Sequence, residues 1–316
     1  MIAMKKVVLG IDIGGTNTVY GFIGQNGNIF HSDEIPTHGN KPVDNFINRL
    51  GEKLNSFLTD NSDFKLCGIG VGAPNGNHFT GIIQDPPNLS WGDVDIVTLL
   101  KEKFNCDVSL TNDANAAALG ERNYGIASDM NDFVVITLGT GLGSGIFTGG
   151  LLLYGTNSLA GEMGHISIAQ NGRACSCGLK GCLEMYVSAK GIKETVIEFQ
   201  KDNPDDDFLS SLEPELIDGK MIDCAIDDGI ESAISLYEFT ADKLAYGMAQ
   251  VATILSPEAF IIYGGYSQAG DRLLGPTRIA LETYLMDNLK GKIKVLQSGL
   301  PTGQAGILGA ASLLWK

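Results

Sequence analysis

Four residues have the types and spacing of a metal site: His165, Cys175, Cys177 and Cys182. Three thiolates and one imidazole are the ligand set of a closed tetrahedral Zn2+ site, and Gly178 and Gly181 permit tight turns between the ligands. With four protein ligands no coordination position stays open, so such a zinc is structural and ties down a loop. The alternative, three free buried thiols beside an unrelated histidine, explains the clustering poorly. Glu162 and Glu184 flank the cluster, and a fixed pair of carboxylates is a suitable acceptor set for sugar hydroxyls.

Two glycine-rich turns carry a second kind of chemistry. In Asp12-Ile13-Gly14-Gly15-Thr16-Asn17-Thr18 the glycines let backbone N–H groups crowd toward an anion, and the two threonine hydroxyls add donors. An acid beside a phosphate loop repels its ligand unless a cation lies between them, so Asp12 fits a hydrated Mg2+; the other reading is a plain hairpin turn. The stretch Gly139-Thr140-Gly141-Leu142-Gly143-Ser144-Gly145 offers similar donors and matches neither a P-loop nor a dinucleotide fingerprint. Two such turns would hold a triphosphate from both sides. Asp113, in Thr111-Asn112-Asp113-Ala114-Asn115, is either an ordinary acid in a helix first turn or a general base that takes the proton of a substrate hydroxyl, with Asn112 orienting another hydroxyl.

These residues need elements to hold them. Val7–Ile13 and Val19–Ile23 read as strands around the first turn, and Phe133–Ile136 and Ile146–Phe147 as strands around the second. Sliding one pair onto the other by 125 residues puts Ile136 on Ile11, Gly139 on Gly14 and Phe147 on Phe22, consistent with two related halves or with two ordinary hairpins. Apolar spacing predicts a helix over Val43–Leu58, a buried strand over Cys67–Val71, an Ala-rich helix over Ala114–Glu121 capped by Asn112 or Asp113, and one or two helices over Ala225–Leu255. Ala259–Tyr263 reads as a strand, Gly306–Leu314 as a closing helix, and the acidic stretch Asp202–Lys220 as a surface connector. Strands alternating with helices in both halves imply an α/β protein of two lobes.

Composition narrows the function classes. Lys and Arg total 22 against 37 Asp and Glu, a net charge of −15. So acidic a chain is a poor partner for nucleic acid or an anionic membrane. The six cysteines are too few and too clustered for a disulfide framework. With no apolar stretch of signal-peptide or membrane-spanning length, a cytoplasmic location is expected. The 41 glycines, far above ordinary usage, call for tight turns and close backbone approach.

Together the motifs resemble those of the ROK family of sugar kinases and sugar-responsive repressors, most closely its glucokinase-like bacterial members, from Asp12 to about Leu313. The Gly-Glu-x-Gly-His segment with the following cysteine box is specific to that family; the glycine turns are shared more widely among actin-like sugar kinases. The resemblance implies an α/β two-lobe ribonuclease-H-like (actin/hexokinase-like) fold with a ligand cleft between the lobes. Residues 1–113, completed by a C-terminal helix at about 302–316, would form the N-terminal lobe, and residues 114–301 the C-terminal lobe with its zinc loop.

By the same resemblance Asp113 is the catalytic base, and Gly72, Asn88, Asn112, Glu162, His165 and Glu184 contact the sugar, His165 also binding zinc. Asp12 serves Mg2+, while Gly14, Gly15, Thr16, Asn17, Thr140, Gly141, Gly264 and Gly265 contact ATP. Where many members read Gly-x-Gly-x-Pro-Gly-Pro, this chain has Gly68-Ile69-Gly70-Val71-Gly72-Ala73-Pro74-Asn75. The implied activity is ATP-dependent phosphorylation of a hexose at its 6-hydroxyl, glucose first, by a homodimer. N-acetylglucosamine, N-acetylmannosamine, mannose, allose and fructose are the competing substrates. A sugar-sensing repressor is the alternative class; such relatives carry a helix-turn-helix ahead of the first glycine turn, and eleven residues precede Asp12 here.

Overall fold

The computed structural model describes residues 4–86, 89–301 and 303–315. Its first elements are β1 (Lys5–Ile13), β2 (Asn17–Ile23), β3 (Ile29–Pro36), α1 (Val43–Asp60), β4 (Phe64–Ala73), α2 (Ile96–Phe104), β5 (Asp107–Asn112) and α3 (Asp113–Tyr124). Then follow β6 (Phe133–Leu138), β7 (Leu142–Thr148), β8 (Leu151–Leu152), α4 (Glu184–Val187), α5 (Ala189–Asp202), α6 (Asp207–Ser211), α7 (Gly219–Asp227) and α8 (Glu231–Leu255). The chain ends with β9 (Ala259–Tyr263), α9 (Asp271–Tyr284), β10 (Lys294–Gln297) and α10 (Ala305–Ser312). One unit comprises Met1–Asp129, Leu152–Ala160 and Gly299–Lys316; the other comprises Met130–Leu151 and Gly161–Ser298.

Each unit holds a five-stranded sheet, ordered β3-β2-β1-β4-β5 in the first and β8-β7-β6-β9-β10 in the second. In both, an antiparallel hairpin opens the sheet and its first strand then pairs in parallel with the fourth. The duplicated start read from sequence is real, but its register past the turn needs a correction. β1 pairs Val8 with Ile23, whereas β6 pairs Phe133 with Phe147, so Phe147 answers Ile23 rather than Phe22. The reason is the turn: Ile13 and Thr18 enclose residues 14–17, while Leu138 and Leu142 enclose only 139–141. Gly143 and Gly145, read as loop residues, therefore lie within β7.

In the first unit β1 is buried on both faces, which is why it reads as a continuous apolar run instead of alternating. Val7, Leu9 and Ile11 join one core with Phe46, Leu50 and Leu54 of α1, while Val8 joins another with Ile307, Leu308 and Ala311 of α10. The second contact is a close approach of helix to sheet. A methyl group on Gly10 or Gly70 would overlap the carbonyl of Ile307 or of Ala310. α3 packs against α10 and β4, so the first unit runs to Asp129, beyond the boundary at 113 suggested by sequence.

In the second unit the long helical pattern divides into α7 and α8, the first starting at Gly219 with Asp218 accepting from Met221 N–H. The acidic stretch from 202 to 220 is not a bare connector. It contains α6, capped by Asp206, and it buries Leu209, Leu212 and Ile217. Three apolar anchors among the acids are enough to fold it onto the unit. No helix among the described residues is long and apolar enough to cross a membrane.

Candidate functional site

The first glycine turn is braced from behind. Gly14 N–H donates to Asn17 O at 3.0 Å and Thr37 N–H to Thr16 O at 2.7 Å. The fully buried Thr37 hydroxyl donates to Gly14 O at 2.7 Å and lies 2.9 Å from the Thr18 hydroxyl. Thr37 carried no signal in sequence, since its partners are about twenty positions away and it belongs to no motif. A cavity of about 390 Å³ opens beside the turn, lined by Gly15, Thr16, Asn17, His38, Asn40 and Ser90. With Gly14 N–H spent inside the turn, the donors that face outward belong to the residues after it.

Asp12 and Asp113 stand on adjoining parts of the same sheet, Asp12 near the end of β1 and Asp113 at the first position of α3, directly after β5. Gly72 on β4 lies against both. A methyl there would sit 3.8 Å from Asp12 Oδ1 and from Asp113 Cα, and 3.0 Å from Ala116 Cβ. Asn112 is the helix cap; its Oδ1 accepts from Ala114 N–H at 2.9 Å and Asn115 N–H at 3.4 Å, which commits the oxygen and leaves the amide NH2 for other partners. Asp113 Oδ1 also accepts from Ala114 N–H, at 2.8 Å.

By accessible surface Asp12 is half-buried and Asp113 exposed, yet neighbouring protein crowds both carboxyls. Burial pushes the Asp12 carboxyl up to about 7, and the neighbouring Asp113 charge adds to it. Burial likewise holds Asp113 above the ordinary carboxylate range, against the downward pull of the Ala114 N–H and the Asn112 amide. A pair of acids raised in this way suits two tasks: one carboxylate can hold a divalent cation, which cancels the repulsion, and the other, more basic than an ordinary carboxylate, can accept a proton. The donor set at Asp12 fits a hydrated Mg2+.

In the second unit the four residues read as metal ligands do come together. The ligand atoms of His165, Cys175, Cys177 and Cys182 all lie within 4.8 Å of one another. Cys175 Sγ is 3.6 Å from His165 Nδ1, and Cys177 Sγ is 3.6 Å from Cys182 Sγ. Those separations match the edges of a tetrahedron with metal–ligand bonds of about 2.0–2.3 Å, so the cluster fits Zn2+. Burial and the neighbouring sulfurs push the Cys182 thiol up to about 12, while Leu179 N–H holds the Cys177 thiol below its usual range.

His165 ends a short 3-10 turn, Met163–His165, whose preceding Gly161 carbonyl accepts from the Ser144 hydroxyl of β7. Its Nε2, the nitrogen turned away from Cys175, lies 4.0 Å from Glu162 Oε2, beyond a direct hydrogen bond. Glu184 opens α4, and its Oε2 accepts from Leu142 N–H at 2.9 Å. It thereby braces the turn of Gly139, Thr140 and Gly141, through a contact between positions too far apart to read from local pattern. Gly264, at the end of β9, reaches the same hairpin: with φ of 105° and no room for a methyl beside Leu138 O, it must be glycine. Gly265 follows with open space around its Cα.

Of the remaining expected residues, Asn88 lies outside the described residues. Asn75, which stands in the altered loop, adopts a left-handed φ of 53° and donates from Nδ2 to Gln84 O at 3.0 Å. It thus makes a tight turn that a glycine could otherwise provide. His78, assigned no role in sequence, stacks on Tyr154 at 4.2 Å and bonds Leu110 O through Nδ1 at 2.9 Å.

A family model described as the ROK family matches residues 8–316. The chain is 34% identical to a glucokinase of Thermotoga maritima, over 98% of each chain. It is 29% identical to a xylose repressor of Bacillus subtilis, over 84% of this chain and 66% of that one. Among solved structures, a ROK family glucokinase from Streptomyces griseus in complex with glucose and AMPPNP superimposes with a TM-score of 0.81 at 29% identity, covering 97% of this chain and 98% of the other. Motifs, sheet order and these likenesses agree: the chain belongs to the ROK family.

Proposed function

We propose that the protein is an ATP-dependent hexokinase that phosphorylates glucose at its 6-hydroxyl. The observation that carries this reading is the pair Asp12 and Asp113, two carboxylates raised together beside a braced glycine turn. Asp113 accepts the proton of the sugar 6-hydroxyl as that oxygen bonds to the γ-phosphorus and the bond from phosphorus to the ADP oxygen breaks. Asn112 offers its amide NH2 to a neighbouring hydroxyl, and Gly72 and Asn88 are further candidate sugar contacts. Glu162, the Nε2 of His165 and the second oxygen of Glu184 are further groups able to accept from or donate to sugar hydroxyls.

Backbone groups of Gly15, Thr16 and Asn17, in a turn shaped by Gly14, and of Thr140, Gly141, Gly264 and Gly265 bind the phosphates of ATP. When bound, Mg2+ held through Asp12 offsets phosphate charge, and Zn2+ fixes the loop that carries His165. The likeness to the Streptomyces griseus glucokinase, in complex with glucose and AMPPNP, supports both ligands. Glucose stands ahead of N-acetylglucosamine, N-acetylmannosamine, mannose, allose and fructose because the glucokinase match covers both chains nearly end to end.

A coupled ADP-release assay across that panel, with the product position fixed by phosphorus NMR, tests the reading. The highest kcat/KM is expected for glucose, as the 6-phosphate. No phosphorylation of any sugar in the panel overturns it. A homodimer is expected in light scattering, at twice the chain mass of 33.5 kDa. The xylose repressor likeness supports a sugar-responsive DNA-binding protein as the second reading, and tight, salt-sensitive DNA binding would establish that one instead.

A further inference from the structure

Arg173 precedes the first cysteine of the metal loop by two residues, and only 9% of its side chain is exposed. A guanidinium has five N–H donors, and here every one is used. Nε donates to Glu198 Oε1 at 3.0 Å, and Nη2 donates to Glu198 Oε2 at 2.6 Å and to Thr195 Oγ1 at 2.9 Å. Nη1 donates to Met185 O at 2.7 Å and to Gly191 O at 2.9 Å. The guanidinium also lies 4.5 Å over the ring of Tyr186, whose hydroxyl accepts from Arg173 N–H at 3.1 Å.

These partners belong to α4 and α5, not to the metal loop. α4 is a single turn, Glu184–Val187, too short to hold its own shape. Arg173 grips it by the Met185 carbonyl, one residue from Glu184, and grips the start of α5 by Gly191 and Thr195. Glu184 in turn holds Leu142 N–H at the end of the second glycine turn. A continuous set of hydrogen bonds therefore runs from the metal loop through Arg173 to α4, Glu184 and that turn.

We propose that Arg173 is a positioning residue that locks the metal loop onto α4 and α5, so that metal retention and the placement of Glu184 depend on the same clamp. The part concerning Glu184 rests on its sugar-binding role above; the part concerning the metal does not. Lysine cannot replace the clamp, because one ammonium cannot reach acceptors spread over Glu198, Thr195, Met185 and Gly191.

The test uses the full chain loaded with Zn2+, as Arg173→Lys and as Glu198→Gln. Zinc transfer to a chromophoric chelator should be at least about tenfold faster in Arg173→Lys and about threefold faster in Glu198→Gln, which keeps the arginine and removes one of its two hydrogen bonds to an exposed carboxylate. The glucose KM should rise about tenfold in Arg173→Lys while kcat changes by less than about threefold, a split that general loss of stability would not produce. Zinc release within about twofold of the parent in both folded variants overturns the proposal. Should Arg173→Lys fail to fold, Glu198→Gln decides alone. A parent that phosphorylates no sugar overturns the function proposed above, and zinc release still decides the role of Arg173.

Discussion

The hairpins β1–β2 and β6–β7 hold the same place in sheets of the same order, and their first strands align residue for residue. Asp12 in the one then corresponds to Thr137 in the other. Thr137 spends its hydroxyl inside its own hairpin, accepting from Gly143 N–H at 3.2 Å. Asp12 is raised chiefly by burial, and the Asp113 charge beside it adds to that. The carboxylate that serves the second hairpin comes from outside it, Glu184 on Leu142 N–H. One backbone design thus carries an acid on the first strand of one hairpin and a neutral hydroxyl at the aligned place in the other.

If the acids set the first unit apart, the largest loss belongs to Asp113→Asn. Turnover should fall by about 10²–10⁴-fold while glucose binding, measured by calorimetry, stays within about threefold. Near-normal turnover would remove Asp113 from its role. In the parent, the acid limb of kcat/KM against pH should report a carboxyl above the ordinary range, activity being lost as Asp113 takes up a proton.

Asp12→Asn comes next, with turnover expected to fall by about 10²-fold. The same substitution should raise the stability of the metal-free protein. Asp12 titrates near 7 in the folded state against 3.8 ordinarily. Between those values the folded protein binds more protons than the unfolded chain, so stability falls as pH rises through that window and stays low above it. At pH 8 the variant should gain about 2 kcal/mol in urea unfolding, and the gain should vanish below about pH 4. A gain independent of pH would contradict the burial of that charge.

The second unit should respond through binding more than through chemistry. Cys182→Ser, which breaks the buried end of the metal cluster, should raise the glucose KM by about 10–100-fold with a smaller change in kcat. Zinc analysis of the purified parent should give one ion per chain. A zinc-free parent of full activity would break the contrast between the units.

Much of this was legible in sequence because it rests on local pattern. The cysteine box and the glycine turns announce themselves within a few residues, and β1, α1 and α8 follow from apolar spacing, whereas Asp113 stands out only through the family resemblance. What escaped depends on contacts between distant positions. Thr37 braces Gly14 from 23 residues away, and the bond from Glu184 to Leu142 spans 42. The acids of 202–220 hid Leu209, Leu212 and Ile217. The glycine surplus divides in a way composition cannot reveal: Gly10 and Gly70 serve the docking of α10, not a ligand. Sequence places β7 one residue out of register because β2 and β7 are each buried at successive positions, Tyr20–Ile23 and Ser144–Phe147, so no alternation marks the slip.

Smaller effects separate backbone demands within the second hairpin's surroundings. Gly264→Ala must place a methyl against Leu138 O at a φ of 105°, which should cost about 1–3 kcal/mol and raise the ATP KM. Gly265→Ala meets open space and should change stability by less than about 0.5 kcal/mol. Equal losses at the two positions would mean that the strain at Gly264 is not what fixes this corner.

Thr137→Val should have the smallest effect of the series, and it bears most directly on the comparison. Removing the hydroxyl leaves Gly143 N–H without its side-chain acceptor, a loss of about 1 kcal/mol in thermal or urea unfolding. Turnover should remain within about twofold, because the position does structural work only. At the aligned position in the first unit, Asp12→Asn keeps the side-chain size and loses about 10²-fold in turnover while gaining stability at pH 8. Opposite signs on stability and unequal effects on turnover, from one aligned position in two copies of one hairpin, are what a shared scaffold with divided chemistry requires. A turnover loss at Thr137→Val comparable with that at Asp12→Asn would instead place the second strand in the reacting centre.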